Sequence, residues 1–217
     1  MIFTDRIEAG QLLAEKLTTP KNAVVLAIPR GGVVVGAAIA KKLGLPLEII
    51  VARKLGAPGN PELAIGAVTA DGELVLDQGL IERIGVGHEY ILEEQESQMK
   101  EAERREEVYR AGRSKINLNG KVAILVDDGL ATGATMEAAV RSVKRSKAVK
   151  IIVAVPVAPW ETAERFRELV DEVVVLSTPD SFWAIGQFYS DFPQVSDEQV
   201  IKILKVQPKD FNERKGR

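Results

Sequence analysis

The sequence predicts an α/β protein built on a mostly parallel, twisted sheet flanked by helices. Three observations carry that expectation. Short apolar runs rich in β-branched residues recur at 23–28, 47–52, 121–126, 149–155 and 172–176, and each reads as a strand buried on both faces. Segments with helical spacing lie between several of these runs, so strand and helix alternate along the chain. Three of the runs also pass without a spacer into turns rich in Gly, Asp, Arg or Lys, where ligands collect on such sheets.

Composition narrows the function classes. At 217 residues the chain can bury one substantial core, with room for a small appendage. A formal net charge of −2 provides no global field to attract nucleic acid. The absence of cysteine rules out disulfides, thiolate metal sites and a cysteine nucleophile. A single histidine, His88, rules out a histidine-rich metal site. No stretch approaches the roughly 20 apolar residues of a membrane span. The opening Met-Ile-Phe-Thr-Asp-Arg is not a signal peptide, so a cytoplasmic location is expected.

Thr4 or Asp5 can cap a first helix in which Ile7, Gly10, Ala14 and Leu17 share a face, with Pro20 ending it. The strand at 23–28 then runs into Pro29-Arg30-Gly31-Gly32, followed by a helix with Val35, Ile39 and Leu43 at intervals of four. This tight turn is aimed at an anion and carries a fixed positive charge at Arg30. Its glycine spacing does not fit the dinucleotide fingerprint, and taken alone it also reads as plain punctuation.

The strand at 47–52 ends in Arg53-Lys54. Residues 55–62 are dense in breakers and are expected not to hold one conformation without a ligand. Short strands at 64–69 and 73–76 surround Asp71-Gly72, a strong hairpin signal. Two cations at the root of a flexible hairpin make a lid that would close over a polyphosphate; the alternative is surface charge beside an ordinary loop. From 78 to 113 the chain is helical and strongly charged, with Glu96 and Lys100, Glu101 and Arg105, and Glu106 and Arg110 in favourable i,i+4 order. Its apolar content is thin, which predicts a solvated helix lying across the body or pairing with a second subunit. His88 reads as a surface or capping residue rather than a base.

The run at 121–135, Lys-Val-Ala-Ile-Leu-Val-Asp-Asp-Gly-Leu-Ala-Thr-Gly-Ala-Thr, organises the rest. Asp127 and Asp128 stand where a buried strand surfaces. Small residues follow and lead into a helix at 136–145, so unpaired amides and a helix dipole are offered to a phosphate. Carboxylates beside a phosphate cradle repel unless sugar hydroxyls or a shared Mg²⁺ lie between. The bland alternative is a generic βα turn with exposed aspartate caps. No Gly-Lys-Ser/Thr is present, so this is not a Walker A loop. After the strand at 149–155, Pro156 and Pro159 break the chain ahead of a helix at 160–170 and the strand at 172–176. Phe182, Trp183, Phe188, Tyr189 and Phe192 then cluster, and Ser196 with Gln199 forms a capping box for a last helix ending near Lys205.

Apolar strand, Asp-Asp, then x-x-Ala-Thr-Gly-x-Thr resembles the signature of the type I phosphoribosyltransferases, which use 5-phosphoribosyl 1-diphosphate (PRPP). The resemblance implies that Asp127 and Asp128 hold the ribose hydroxyls and that Ala131, Thr132, Gly133, Ala134 and Thr135 hold the 5′-phosphate. It implies a pyrophosphate loop at Arg30, Gly31 and Gly32, with a backbone strained to present amides. Arg53 and Lys54 resemble the lid entry of adenine phosphoribosyltransferases. Catalysis would be electrostatic, through Asp127, Asp128, Arg30 and Lys54, with Mg²⁺ held mainly by the substrate and reached by the two aspartates. Such enzymes carry a hood that recognises the acceptor, so Phe182, Trp183, Phe188 and Tyr189 are candidate base-stacking residues; the same cluster also reads as the hood's own core or a dimer contact. Ala131 stands where 6-oxopurine enzymes carry an aspartate, which argues against hypoxanthine and guanine as acceptors. The organisation this implies is a core at 1–176 with a lid hairpin at 53–77 and a helical insertion at 78–113, a hood at 177–206 and a polar tail at 207–217. The expected activity is phosphoribosyl transfer to a nitrogen acceptor such as a nucleobase, by a homodimer. The alternatives are a non-catalytic PRPP-binding regulator and a phosphosugar hydrolase.

Overall fold

The structure is a computed structural model that describes residues 1–18 and 22–206. Pro20, expected to end the first helix, and the polar tail at 207–217 lie outside the described residues. Helix α1 (Arg6–Lys16) is capped by Asp5, whose carboxylate accepts from the amides of Ile7 and Glu8, satisfying two donors that a helix start leaves unpaired. Its buried face is Arg6, Ala9, Gly10, Leu13 and Ala14. Ile7, expected on that face, is exposed, because it lies about 100° from Arg6 round the helix.

Among the described residues five parallel strands form the main sheet, in the order β2 (Leu47–Ile49), β1 (Ala23–Ala27), β6 (Val122–Val126), β7 (Lys150–Val157), β8 (Glu172–Ser177). Successive side chains feed opposite faces: Val25, Ala27, Ile124 and Val126 join one apolar core and Val24, Leu26, Ala123 and Leu125 the other. The first core is covered by α1, α2 (Gly31–Leu43), α4 (His88–Arg110) and α7 (Asp197–Lys205), the second by α5 (Ala134–Arg145) and α6 (Trp160–Leu169). Burial on both sides is why these runs are continuously apolar. Strand order reverses between β1 and β6: from β1 the chain steps outward to β2, then returns to β1's other side. That reversal is where the loops leaving β1 and β6 diverge and open a crevice.

The strand expected at 47–52 is divided. Ile49 ends β2, Ile50 still donates to Ala27 O at 3.1 Å, and Ala52 already belongs to β3 (Ala52–Ala57) of a second, antiparallel sheet with β4 (Asn60–Thr69) and β5 (Leu74–Leu76). The breaker-rich 55–62 stretch is therefore a hairpin and not an irregular loop. Gly59, at φ +72°, makes its turn, and register shifts flank Gly56. Burial of Leu55, Ala57, Ile65 and Val68 against Leu80, Ile81 and Ile91 orders it. Leu80 and Ile81 come from α3 (Gln78–Ile84).

Helix α4 carries all three expected ion pairs and lies across the body. It buries Ile91, Ala102 and Tyr109, and Tyr109 donates its hydroxyl to Asp197 Oδ1 at 2.7 Å. Pro156 does not break the chain: β7 continues to Val157, paired with β8 alone, because its pairing with β6 ends at Ala154. Past that point the missing N–H faces no partner strand. The Ser196–Gln199 capping box forms as the sequence predicts.

Candidate active site

Asp127 and Asp128 emerge from β6, and the Pro29–Gly32 turn, with a cis Pro29–Arg30 peptide bond, emerges from its neighbour β1. The two loops touch. A Cβ on Gly31 would come within 1.8 Å of Asp128 Oδ2, and one on Gly32 within 2.9 Å of Asp127 Cα. At Gly32 the obstacle is backbone, which only glycine can approach so closely, and at Gly31 it is the Asp128 carboxylate itself. The 131–135 loop sits beside them. Leu130 donates to Val157 O at 2.9 Å, and α6 takes up the loop's carbonyls: Thr162 donates to Ala131 O at 3.0 Å and Arg165 to Thr132 O at 2.6 Å. Gly133, at φ +82° and packed on Phe166, turns the chain into α5, which starts with no side-chain cap. Among the described residues no protein acceptor takes the amides of 132–135, so a helix N-terminus stands open to an anion.

A cleft of about 470 Å³ draws together Pro29, Arg30, Gly31, Arg53, Lys54, Asp127, Asp128 and Thr135. The turns after β1 and β6 thus meet Arg53 and Lys54, which lie within β3 of the second sheet and not in a strand-end loop of the parallel one. Burial pushes the Asp127 carboxyl well above its ordinary value; the Asp128 charge pushes the same way, and Lys54 works against it. Asp128 is raised by burial too, although its ion pair with Arg6 opposes the shift. Burial, then the charge of Arg105, lowers the Arg53 guanidinium. Cations that disfavour one another across a cleft holding a buried acidic pair make a surface prepared for a ligand with phosphates at one end and hydroxyls at the other.

Several contributors are not visible in the motifs. Arg105 and Gln98 of α4 line the cleft, and Gln98 accepts from Arg53 Nε at 3.0 Å. Glu94 accepts from the Gly56 amide at 3.1 Å and Tyr90 donates to Gly56 O at 3.0 Å, so the hairpin is moored to α4. Arg30 faces Asp197 at 3.5 Å. Arg6, 7% exposed, donates Nε to Asp128 Oδ2 at 2.8 Å.

The aromatic cluster divides. Phe188 and Tyr189, each 6% exposed, pack with Phe3, Ala9 and Val157, and Tyr189 donates to Asp128 O at 2.6 Å. Of the readings the sequence leaves open, their burial favours a core of their own over stacking faces offered to a base. Trp183 is 90% exposed. It sits in a turn organised by Gln187, which accepts from the Trp183 and Ala184 amides and donates to Ser181 O. Phe182 is half-buried, tilted against Phe188 at 5.2 Å between centroids. None of the four lines the cleft.

Among the described residues no group of three or more His, Asp or Glu is placed to hold a metal. Asp127 and Asp128 are the adjacent carboxylates of the cleft, with Glu62 and Glu94 elsewhere in its lining, a donor set that suits a hard cation arriving with phosphate oxygens and waters of its own and does not suit a protein cage. Nor, among the described residues, is any helix long and apolar enough to cross a membrane.

A glycine-backed turn, a buried acidic pair and an open helix N-terminus meet on one parallel α/β sheet, and the chain belongs to the phosphoribosyl transferase domain family, whose model matches residues 5–193. Two Mycobacterium tuberculosis proteins that carry the name phosphoribosyl transferase as a provisional assignment are 42% identical over 214 residues, 98% of this chain. The chain spans about half the length, 48%, of these curated relatives. The crystal structure of TT1426 from Thermus thermophilus is 46% identical and superposes with a TM-score of 0.78 over 94% of this chain and 98% of that one. A Neisseria gonorrhoeae protein crystallised with bound ppGpp, 13% identical, shares the fold alone, with a TM-score of 0.50 over 94% of each chain.

Proposed function

We propose that the protein transfers the 5-phosphoribosyl group of PRPP to a nitrogen acceptor, in the first instance a nucleobase, and releases pyrophosphate, acting in the cytoplasm as a homodimer. The observation that carries this reading is the convergence of Arg30 to Gly31, Arg53 to Lys54, Asp127 to Asp128 and Thr135 on one cleft.

The amides at 132–135 would take the 5′-phosphate and the aspartates the ribose hydroxyls. Arg30, Arg53, Lys54 and the amides of Gly31 and Gly32 would take the diphosphate, with Arg105 adding charge from α4. As the bond from C1′ to the diphosphate oxygen lengthens, its electron pair leaves with the diphosphate, and those fixed cations stabilise the growing negative charge without reorganising. Positive charge builds on the ribose ring, against which Asp127 and Asp128 supply negative potential. The acceptor nitrogen bonds to C1′ from the opposite face and loses its N–H proton to water. Mg²⁺ carried by the diphosphate, within reach of Asp127 and Asp128, would offset leaving-group charge.

The test is incubation with PRPP, Mg²⁺ and a panel of bases and amines, following pyrophosphate. Release dependent on one acceptor is expected. Release with no acceptor would make the protein a hydrolase, and tight binding without turnover a PRPP-responsive regulator.

A further inference from the structure

Among the described residues Arg6 is the one cation bonded directly to the acidic pair, and it comes from outside every motif of the site. We propose that Arg6 is a positioning residue for sugar recognition: it makes the aspartate pair a clamp with one accepting oxygen on each carboxylate, matched to two adjacent hydroxyls. The inference rests on the reading of Asp127 and Asp128 as the ribose subsite and deepens it.

The oxygens account for the geometry. Asp127 Oδ1 accepts from the Asp128 amide at 2.8 Å, and Asp128 Oδ2 accepts from Arg6 Nε at 2.8 Å. Among the described residues Asp127 Oδ2 and Asp128 Oδ1 accept from no N–H, and the two carboxyls lie within hydrogen-bond reach of one another. A carboxylate with one oxygen committed presents the other in a fixed direction, and two such oxygens side by side match the paired donors of a vicinal diol. The Arg6 guanidinium is itself fixed. Its second arm donates to Pro193 O at 2.8 Å, and its Cζ lies 3.7 Å from the Phe192 ring centroid. On the other side of Asp128, Tyr189 donates to the backbone carbonyl at 2.6 Å, so side chain and main chain are both clamped. The guanidinium also offsets one of two adjacent buried negative charges, which would otherwise drive the carboxylates apart. Without Arg6, Asp128 is free to turn both oxygens toward the cleft, and the match to two hydroxyls is lost.

The test compares ribose 5-phosphate with 2-deoxyribose 5-phosphate by calorimetry on the full chain. Wild type is expected to prefer the diol by about tenfold or more, the worth of a hydrogen bond to a charged group. In Arg6→Gln that preference is expected to fall to about twofold or less while phosphate-driven binding persists, with Arg6→Lys between the two. A merely structural role would weaken both sugars by the same factor; that result, or an unchanged preference in Arg6→Gln, overturns the proposal and leaves the ribose subsite standing. Wild type that binds neither sugar phosphate overturns the subsite reading and this inference with it. Should circular dichroism show Arg6→Gln to be unfolded, the Arg6→Lys preference decides: a value equal to wild type refutes the role and a reduced one supports it.

Discussion

Gly31 lies so close to Asp128 that a single added methyl group would stand 1.8 Å from Oδ2 and 3.0 Å from Arg6 Nε. The contact joins the turn after β1 to the acidic pair after β6, so the two groups of residues proposed to hold diphosphate and ribose share one wall. Gly31→Ala is expected to cost about 1–3 kcal/mol of stability, as overpacking does, and to weaken PRPP binding by far more than that loss explains. Urea denaturation alongside PRPP titration checks both; native affinity in Gly31→Ala would contradict the shared wall.

Asp127→Asn separates charge from shape, since the amide oxygen can still accept from the Asp128 amide. Turnover should fall by about a hundredfold or more if the negative potential is used in the transition state. The unliganded variant should be more stable than wild type at neutral pH. The sign follows from the raised carboxyl: its folded-state pKa lies above the ordinary 3.8, so the folded state binds the proton more tightly and stability falls as pH rises from about 3.8 through the folded-state value. The stability advantage of Asp127→Asn should therefore shrink as pH is lowered toward 3.8. Thermal melts across that range measure it, and an advantage that grows on acidification would refute the assignment.

The mooring of the hairpin predicts a separable effect. Tyr90→Phe and Glu94→Ala each remove one hydrogen bond to Gly56, worth about 1 kcal/mol. Amide exchange in β3 and β4 should accelerate while the main sheet keeps its protection. KM for PRPP should rise more than kcat falls, because the cations carried by β3 lose their fixed direction. Uniform exchange across the chain would show instead that the hairpin is held by its apolar core alone.

Arg105 supplies positive charge to the cleft from an element outside the signature. Arg105→Gln is expected to weaken inorganic pyrophosphate by about tenfold and to leave ribose 5-phosphate unaffected. Because salt still screens a half-buried charge beside an open cleft, the difference between wild type and variant should narrow at high ionic strength. Equal losses for the two ligands would place Arg105 in the scaffold.

Much of this architecture is legible in the sequence because its signals are local. The apolar runs at 23–28 and 121–126 and the glycine turns after them specify strand, turn and helix within one short stretch each, and the parallel sheet brings strand ends to one edge. What escapes depends on distant partners. Asp5-Arg6 at a helix start resembles any capped, charged N-terminus; its role appears only through Asp128, 122 positions away. Ile91, Ala102 and Tyr109 are eleven and seven positions apart, near whole numbers of helical turns, but too sparse among charges to mark a buried stripe. Pro156 misleads because a breaker in isolation is harmless at the end of a strand pairing. Phe188 and Tyr189 stay undecided between surface and core in the sequence because aromatic composition does not say which ring has a neighbour such as Phe3 beneath it.

The turn that carries Trp183 is organised from within by the Gln187 amide, while the buried Tyr189 that follows it holds the Asp128 carbonyl. The exposed Trp183 ring therefore stands on a self-braced turn outside the cleft, apart from the stretch that holds Asp128. Grafting residues 178–187 from a relative should leave Arg30, Asp127 and Asp128 in place, and that separation lets selection rewrite one exposed surface without rebuilding the cleft.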